Sequence, residues 1–326
     1  MRKKVNVLYK DKRTGLLLPD SARPQASGYS EAGASRIRRA LRGFNPRSTA
    51  PSEDIDQNNY TLRQRGRMLY MSSPVATSAI HTNRTKVVGV GLTLKSSIDH
   101  EALGLTAEQA KAWQKHTEKE FALWANDKAS CDATGMNDFT SLQQLALISW
   151  LMSGDVFALF QRRDGNWLRP YSLRVHLIEA DRVRTPSDMG VGPIPLTEGK
   201  NPDNSNRIFD GVEVDASGMV TAYYVHNTYP WQRMSSYTNS VEPEKCQRIE
   251  AYGERTGLPN ILHIMNSERC GQYRGVTYLA QVIEPLLQLN RYERSALTAA
   301  MIQCFFTAWV TTEAGASDLG LLGGRS

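Results

Sequence analysis

The sequence lacks the cysteine and histidine patterns that hold metals or disulfides. Its four cysteines are scattered, and no two of them have C-x-x-C spacing: Cys131, Cys246, Cys270 and Cys304. None is paired with histidines at zinc-finger spacing, and the six histidines form no H-E-x-x-H repeat. We therefore predict free thiols in a reducing compartment and no metal site.

Long apolar runs are also missing. No stretch approaches the roughly 18 apolar residues of a membrane span. The apolar cluster near the N-terminus, Leu16–Leu18, is too short for the hydrophobic core of a signal peptide. These absences predict no contact with a membrane and a protein made and kept in a cytoplasm.

Sequence signatures of catalysis are missing as well. There is no G-x-S-x-G elbow and no phosphate-binding G-x-x-x-x-G-K-[ST] loop. Asp155, Glu179 and Asp181 are candidates for a carboxylate cluster, but nothing in the sequence brings them together, so we interpret them as surface charges. The sequence predicts neither an enzyme nor a bound cofactor.

Positive charge is concentrated near the N-terminus. The chain carries a net charge of +6, yet residues 1–50 contain 12 Lys/Arg against 3 Asp/Glu and the remainder contains 27 against 30. Within this arm, Ser35–Phe44 is predicted to form an amphipathic helix. Four arginines surround its apolar face: Arg36, Arg38, Arg39 and Arg42. Two interpretations stay open, a helix that meets phosphate or an acidic neighbouring subunit, and a solvated helix packed on its own domain.

Helices are predicted after the arm. By composition, Pro51–Asn59 is a linker, and Tyr60–Met71 is a helix. Ser73, followed by proline, is predicted to cap a second helix that runs toward Lys86.

Two capping boxes predict two further helices. Thr106 with Gln109 opens a helix that runs through Ala125, and Ser141 with Gln144 opens the next one.

From Gly154 the pattern changes to short strands and hairpins. An Asp-Gly turn signal and an Ala-Ser-Gly turn signal each join two strands. The predicted strands are Asp155–Gln161, Leu173–Ile178, Ile208–Val214, Met219–His226 and Ile261–Met265.

A long segment with few breaks follows a polar turn that holds Gly271 and Gly275. Its leucines recur at helical spacing, and Pro285 predicts a kink or two abutting helices. The apolar run Ala296–Val310 is predicted to be a helix buried against protein. Helices, then strands, then long helices give an α+β fold.

Read in order, ten stretches resemble the portal proteins of the lambda-type tailed phages. They are Arg36–Arg42, Leu62–Leu69, Val87–Gly91, Phe121–Ala125 with Cys131–Gly135, Ser153–Phe157, Ile178–Val183, Gly211–Asp215, Ala222–Val225, Leu262–Ile264 and the G-Q-Y-R-G-V block Gly271–Val276. The last is followed by a Leu-rich helix with N-R-Y-E-R-S-A-L-T-A-A. The positions carried over as family motifs are Trp124, Gly154, Gly271, Gln272, Arg274 and Gly275.

The resemblance implies a non-enzymatic subunit of a homo-oligomeric ring, a dodecamer in the virion, at one capsid vertex. The ring is the channel for genome packaging and DNA ejection, and it nucleates head assembly. The implied partners are the terminase, scaffold or major capsid proteins, head-completion proteins and double-stranded DNA without sequence specificity. The implied location is the virion, with host cytoplasm during assembly. In this family the chain normally continues well past the position of Val310, so later helical and crown-like portions are expected to be absent.

The resemblance also implies an organisation in four segments. Residues 1–59 are expected to hold the basic arm, the arginine helix and a linker, and residues 60–153 the helical part of the body. Residues 154–265 are expected to form a wing-like antiparallel β-rich part with hairpins, and residues 266–326 the long helical segment and a Gly-rich tail. The alternatives are a basic DNA-binding regulator and a hydrolase. The sequence shows no defined recognition helix for the first, and neither clustered acids nor a nucleophile pair for the second.

Overall fold

The computed structural model describes residues 8–10, 17–19, 39–41, 43–44, 46–167, 169–190, 197–230 and 245–305. The chain divides into two units, Met1–Thr49 and Ala50–Ser326. In the first unit, strands β1 (Leu8–Lys10) and β2 (Leu17–Pro19) pair antiparallel. A 3-10 turn covers Arg39–Leu41, where Arg39 is exposed. The other three arginines of the predicted amphipathic helix, Arg36, Arg38 and Arg42, lie outside the described residues.

The second unit begins with helices. They are α1 (Gln57–Ser72), α2 (Pro74–Val87), α3 (Ala107–Asn126), α4 (Lys128–Cys131) and α5 (Phe139–Ser153). The predicted capping box at Thr106 and Gln109 is confirmed, because both reciprocal hydrogen bonds are present. Ser73 precedes α2 with an extended backbone, as predicted for an N-cap, although its side chain caps nothing.

Two local predictions about the helices are wrong. Pro51–Asn59 is no linker, because a π-helical turn over Ser52–Asp56 runs directly into α1. The acidic residues in the first turn of this segment are stabilised by the positive N-terminal end of the helix dipole. The buried Asn59 side chain holds the start of α1 against the rest of the second unit. The cap of α5 is Asp138 and not Ser141: the Asp138 carboxylate accepts a hydrogen bond from the Ser141 amide at 2.8 Å.

The described strands of the second unit form two antiparallel sheets. They are β3 (Asp155–Arg162), β4 (Leu173–Glu179), β5 (Glu198–Lys200), β6 (Arg207–Phe209), β7 (Val212–Val214), β8 (Val220–His226), β9 (Cys246–Glu250) and β10 (Ile261–Met265). One sheet has the order β10-β3-β4 and the other the order β5-β6-β7-β8-β9. The predicted strand Ile208–Val214 is in fact two strands, since Asp210 and Gly211 have φ angles of 45° and 85° and form a tight Asp-Gly turn. Four strands were not predicted from the sequence: β1, β2, β5 and β9.

Three apolar clusters form the core of the second unit. The largest lies between the two sheets and includes Phe157, Val212 and Tyr223. A second joins α1, α2 and α5 around Leu69 and Ile80. The third surrounds Trp124, whose indole nitrogen donates to the Leu173 carbonyl at 3.0 Å.

The last described element is helix α6 (Ile283–Phe305), preceded by a 3-10 turn over Ala280–Val282. Pro285 lies in the first turn of α6, where its missing N–H is not needed, so the predicted break is the boundary between these two elements. The predicted burial of Ala296–Val310 is wrong for its described part, because every residue from 296 to 305 is exposed. The α+β class is confirmed. No helix in the described ranges is long and apolar enough to cross a membrane.

Candidate functional site: the buried arginine junction

The turn after β10 directs one arginine into the protein. Gly271 has a φ of 75°, in the left-handed region that favours glycine. The Gln272 side-chain oxygen then accepts from the amides of Glu268 and Arg269 at 2.8 and 3.1 Å, and its nitrogen donates to the Arg274 carbonyl at 2.8 Å. Gln272 therefore fixes the turn from which the Arg274 side chain extends inward.

The Arg274 guanidinium is fully buried and fully hydrogen-bonded. Its Nε donates to the Asp155 carboxylate at 2.6 Å. Its Nη1 donates to the carbonyls of Val183, at 2.8 Å, and of Asp210, and its Nη2 donates to the Ala180 carbonyl at 2.9 Å. One side chain thus ties together the start of β3, the end of β4 and the β6–β7 turn.

Helix α1 adds two more arginines to this cluster. Arg63 Nη2 lies 2.7 Å from the Asp210 carboxylate, and Arg63 Nη1 lies 3.8 Å from that of Asp181. Arg67, one turn further along α1, pairs with Asp181 at 2.8 Å. The name arginine junction is used below for Asp56, Arg63, Arg67, Asp155, Asp181, Asp210, His263 and Arg274.

The interpretation of Asp155 and Asp181 as surface charges is wrong. Asp155 has no exposed surface and Asp181 is 5% exposed, while Glu179 stays at the edge and faces Arg67 at 3.6 Å. The fold brings these acids together, but it pairs them with guanidiniums. The carboxylates of Asp155 and Asp181 are therefore engaged in ion pairs that join neighbouring elements of the fold.

Two glycines allow the backbone to cross beside the junction. A Cβ atom on Gly154 would lie 2.5 Å from the Gly275 carbonyl oxygen, and a Cβ atom on Gly275 would overlap the Gly154 carbonyl. Asn59 donates to the Gly275 carbonyl at 2.8 Å, and the Gly275 amide donates to Asp155 at 3.1 Å. Glycine is required here for space, since no larger residue fits between the chains.

Burial and pairing set the charges in the junction. Burial opposes ionisation of Asp155, but the Arg274 guanidinium and the hydrogen bond from His263 outweigh it and hold the pKa of Asp155 well below its usual range. Burial lowers the pKa of His263 despite the neighbouring carboxylate. A neutral His263 next to an ionised Asp155 carries its proton on Nε2 and donates a hydrogen bond to the Asp155 carboxylate at 3.2 Å. Burial would lower the pKa of Arg274, yet Asp155 and Asp210 raise it.

Asp56 is the acid that remains in excess. Three guanidiniums, from Arg63, Arg67 and Arg274, face the carboxylates of Asp155, Asp181 and Asp210. Burial and the charge of Asp210 raise the pKa of the fourth carboxyl, Asp56, to about 7, against the opposing effect of Arg274 and Arg63. The junction is therefore closest to neutral when Asp56 is protonated.

The junction fixes the base of α6. Just after Gly275, the Thr277 hydroxyl and the Tyr278 amide both bond the Leu151 carbonyl of α5, at 3.2 and 3.0 Å. Leu279 and Ile283 then enter the apolar cluster of α1, α2 and α5. The first turn of α6 is thereby held, while the remainder extends away from the body.

The predicted site residues fall into three groups. Gly154, Gln272, Arg274 and Gly275 meet at the junction, and Gly271 shapes the turn that leads to it. Trp124 lies elsewhere, in the cluster around α3. Arg39 is exposed in the first unit. Sequence reasoning missed Arg63, Asp155 and Asp210 as partners of Arg274. Among the described residues, no group of His, Cys, Asp and Glu side chains is arranged to hold a metal ion.

Comparison with known proteins gives one consistent result. The family described as "Phage portal protein, lambda family" matches residues 38–321. Portal protein B of Escherichia phage lambda is 24% identical over 309 residues, which cover 91% of this chain and 52% of that protein. The portal protein of Escherichia phage N15 is 21% identical over 275 residues, or 84% of this chain and 47% of that protein. A probable portal protein of Halomonas phage phiHAP-1 is 26% identical over 269 residues, or 82% and 46%. The chain spans about half the length of these relatives.

Proposed function

The chain belongs to the lambda family of phage portal proteins, and from that premise we propose that it is a non-catalytic subunit of a portal ring. The ring would occupy one capsid vertex, serve as the channel for genome packaging and ejection, and nucleate head assembly. A dodecamer, docked by the terminase and contacted by scaffold or major capsid proteins and head-completion proteins, is the arrangement we propose. Assembly would take place in the host cytoplasm.

The observation that carries the proposal is the exposed apolar surface of α6. Every residue of this helix from 291 to 305 is exposed, and several large apolar side chains in this part face solvent: Tyr292 (72% exposed), Leu297 (67%), Met301 (62%) and Phe305 (81%). A helix of 23 residues with such a surface gains stability by packing on another chain. A neighbouring subunit is the partner that a ring supplies.

The arginine junction supports the same proposal through geometry. Closing a ring requires a fixed angle between the two contact surfaces of each subunit. The junction holds α1 and both sheets through buried, directional hydrogen bonds, and the residues just after Gly275 hold the base of α6 on α5. It would therefore set the direction in which α6 meets its neighbour.

Contact with DNA is proposed to be weak and independent of sequence. A duplex that moves through a channel would stall at any site read by base contacts, so positive charge should act on phosphates alone. The N-terminal arm, with its arginines at positions 36, 38, 39 and 42, is the proposed source of that charge or of a contact to an acidic neighbour. Binding should fall steeply with salt and show no preferred site.

Native mass spectrometry with negative-stain electron microscopy tests the proposal on the 326-residue chain. Closed rings of about a dozen copies are expected from heterologous contacts. A chain that stays monomeric at every concentration would contradict a self-assembling ring. Stable dimers that bind one DNA sequence would favour the basic regulator, which family membership does not favour.

A further inference from the structure

The connection between β3 and β4 carries an exposed tryptophan on a basic hairpin tip. Trp167 is 93% exposed. It lies at the apex of a turn closed by two backbone hydrogen bonds between Asn166 and Arg169, at 2.9 and 3.0 Å. Three exposed arginines and one exposed aspartate surround it: Arg162, Arg163, Arg169 and Asp164. Within the described ranges, none of these arginines forms an ion pair. Exposed Trp and Arg side chains together are typical of interface hot spots.

A cleft beside this tip is lined by guanidinium groups. It has a volume of about 180 Å³ and is lined by three arginines, Arg163, Arg169 and Arg174, together with Asp164 and residues 132–135. Arg174 is 5% exposed and is anchored by a hydrogen bond to the Tyr171 carbonyl at 2.9 Å. The Asp132 carboxylate at the cleft already accepts hydrogen bonds from its own loop. The cleft therefore favours an incoming carboxylate.

A complementary surface lies at the start of α3. Every residue from 101 to 109 is exposed, and residues 96–110 contain three acids and no lysine or arginine: Asp99, Glu101 and Glu108. Leu103 is 62% exposed in the same segment. The Asp99 side chain accepts from the amides of Glu101 and Ala102 at 3.1 Å, which holds the loop in one conformation. The name acidic loop is used below for residues 97–109.

No hydrogen bond or ion pair among the described residues joins the hairpin tip to the acidic loop of the same subunit. The acidic loop ends in the first turn of α3, which follows Thr106. The hairpin packs on the later part of α3, where Tyr171 donates to Glu120 at 2.7 Å and Trp124 donates to the Leu173 carbonyl at 3.0 Å. From Thr106 to Glu120 the helix rises about 20 Å. Each surface is thus left open to a complement on another molecule.

We propose that the hairpin tip of one protomer docks on the acidic loop of a second copy of this chain. Trp167 would cover Leu103, and the arginines would pair with Glu101 and Glu108. The proposal rests on the proposed ring, and it names a head-to-tail contact of the kind that generates one, because two different surfaces of each copy are used. Duplex DNA fits the tip less well, since its stacked bases offer no face to an indole and it would leave the acidic loop uncovered.

Charge reversal in two separate variants tests this pairing. Arg163→Glu/Arg169→Glu reverses the hairpin tip, and Glu101→Lys/Glu108→Lys reverses the acidic loop. Lys200→Glu/Lys245→Glu is the matched control, because these exposed residues lie in strand β5 and next to strand β9, outside both the cleft lining and the acidic loop. Oligomers are counted by native mass spectrometry at low salt, and duplex DNA binding is measured in parallel.

Each reversed variant alone should self-associate about tenfold more weakly than the wild type. An equimolar mixture of the two should restore oligomers, because each variant then presents to the other the charge that it lacks. The control should assemble normally.

Four results would overturn the contact. If the reversed variants assemble like the wild type, the proposed contact is wrong, but the proposed ring is not contradicted. Loss without rescue in the mixture would show that the two surfaces do not face each other. A hairpin variant that assembles normally but no longer binds DNA would identify nucleic acid as the occupant. A monomeric wild type would contradict both this contact and the ring.

Discussion

The arginine junction and helix α6 place polar and apolar side chains in opposite ways. At the junction, charged side chains such as Arg274 and Asp155 are buried, and each meets a partner of opposite charge. On α6, leucine, methionine and aromatic side chains are exposed with no described partner. Burying charge is costly unless it is paired, and exposing apolar surface is unfavourable unless it is later covered. The charges of the junction are therefore paired within one chain, whereas the exposed surface of α6 is the surface we propose for contact with a second chain.

This difference separates folding from assembly. Changes at the junction should act on the free energy of unfolding, because they leave buried groups unpaired. Changes on α6 should leave the single chain stable and alter its association. The two regions are joined by only a short stretch after Gly275, so variants on either side of it test whether the separation holds.

Removal of the junction's central cation should have the largest effect on stability. Arg274→Met leaves Asp155 and Asp210 buried without their main partner, and a loss of about 3 to 5 kcal/mol in unfolding free energy is expected. Arg274→Lys should be nearly as damaging, since an ammonium lacks the forked geometry that reaches four groups. Urea denaturation measures both. Arg255→Met, at an exposed position, is the control. Wild-type stability in Arg274→Met would mean that the junction does not hold the fold.

The glycine crossing should rank second. Gly275→Ala forces the backbone apart at Gly154, and a loss of about 2 to 3 kcal/mol is expected from overpacking. Gly271→Ala is the matched comparison, because it has open space around it and only its positive φ is unfavourable; about 1 kcal/mol is expected there. Thermal unfolding of the two variants distinguishes the steric clash expected at position 275 from the unfavourable backbone dihedral expected at position 271. Equal losses would argue against a steric crossing.

The pH dependence should rank third. The pKa of Asp56 is raised in the folded protein, so its carboxyl stabilises the fold below about pH 4, and that contribution is lost as the pH rises through 7. Between about pH 5 and pH 8, the wild type should lose on the order of 2 kcal/mol more than Asp56→Asn. Glu53→Gln removes an exposed carboxylate from the same turn and controls for charge. Parallel pH profiles for wild type and Asp56→Asn would show that Asp56 is not the excess acid.

Local signals in the sequence were sufficient for most helices and strands. Capping at Thr106 and the alternation in β3 and β4 depend on neighbouring residues, so a single sequence displays them. The Asp-Gly pair at Asp210 was also a turn signal, but an apolar run on both sides was interpreted as one strand. The resemblance brought Arg274 and Gly275 to notice without indicating what they contact.

The junction itself could not be predicted from one sequence. Arg274 lies 119 residues from Asp155 and 64 from Asp210, and no periodicity links such positions. A buried acid also looks like a surface acid in sequence until its partner is known. The exposure of α6 was missed for the opposite reason: apolar content predicts that a helix will be buried, but it does not say whether the covering surface is in the same chain.

The most direct test of this account compares two double variants of α6 by native mass spectrometry and urea denaturation. Leu297→Glu/Met301→Glu places charge on the apolar stripe, and Ala299→Glu/Gln303→Glu adds the same charge at the same spacing on the opposite face of the same exposed turns. Both should change the unfolding free energy of the single chain by no more than about 0.5 kcal/mol. The first should lose its oligomers and the second should keep them. Full assembly by Leu297→Glu/Met301→Glu, or its unfolding as a single chain, would contradict the assignment of α6 to a contact between subunits.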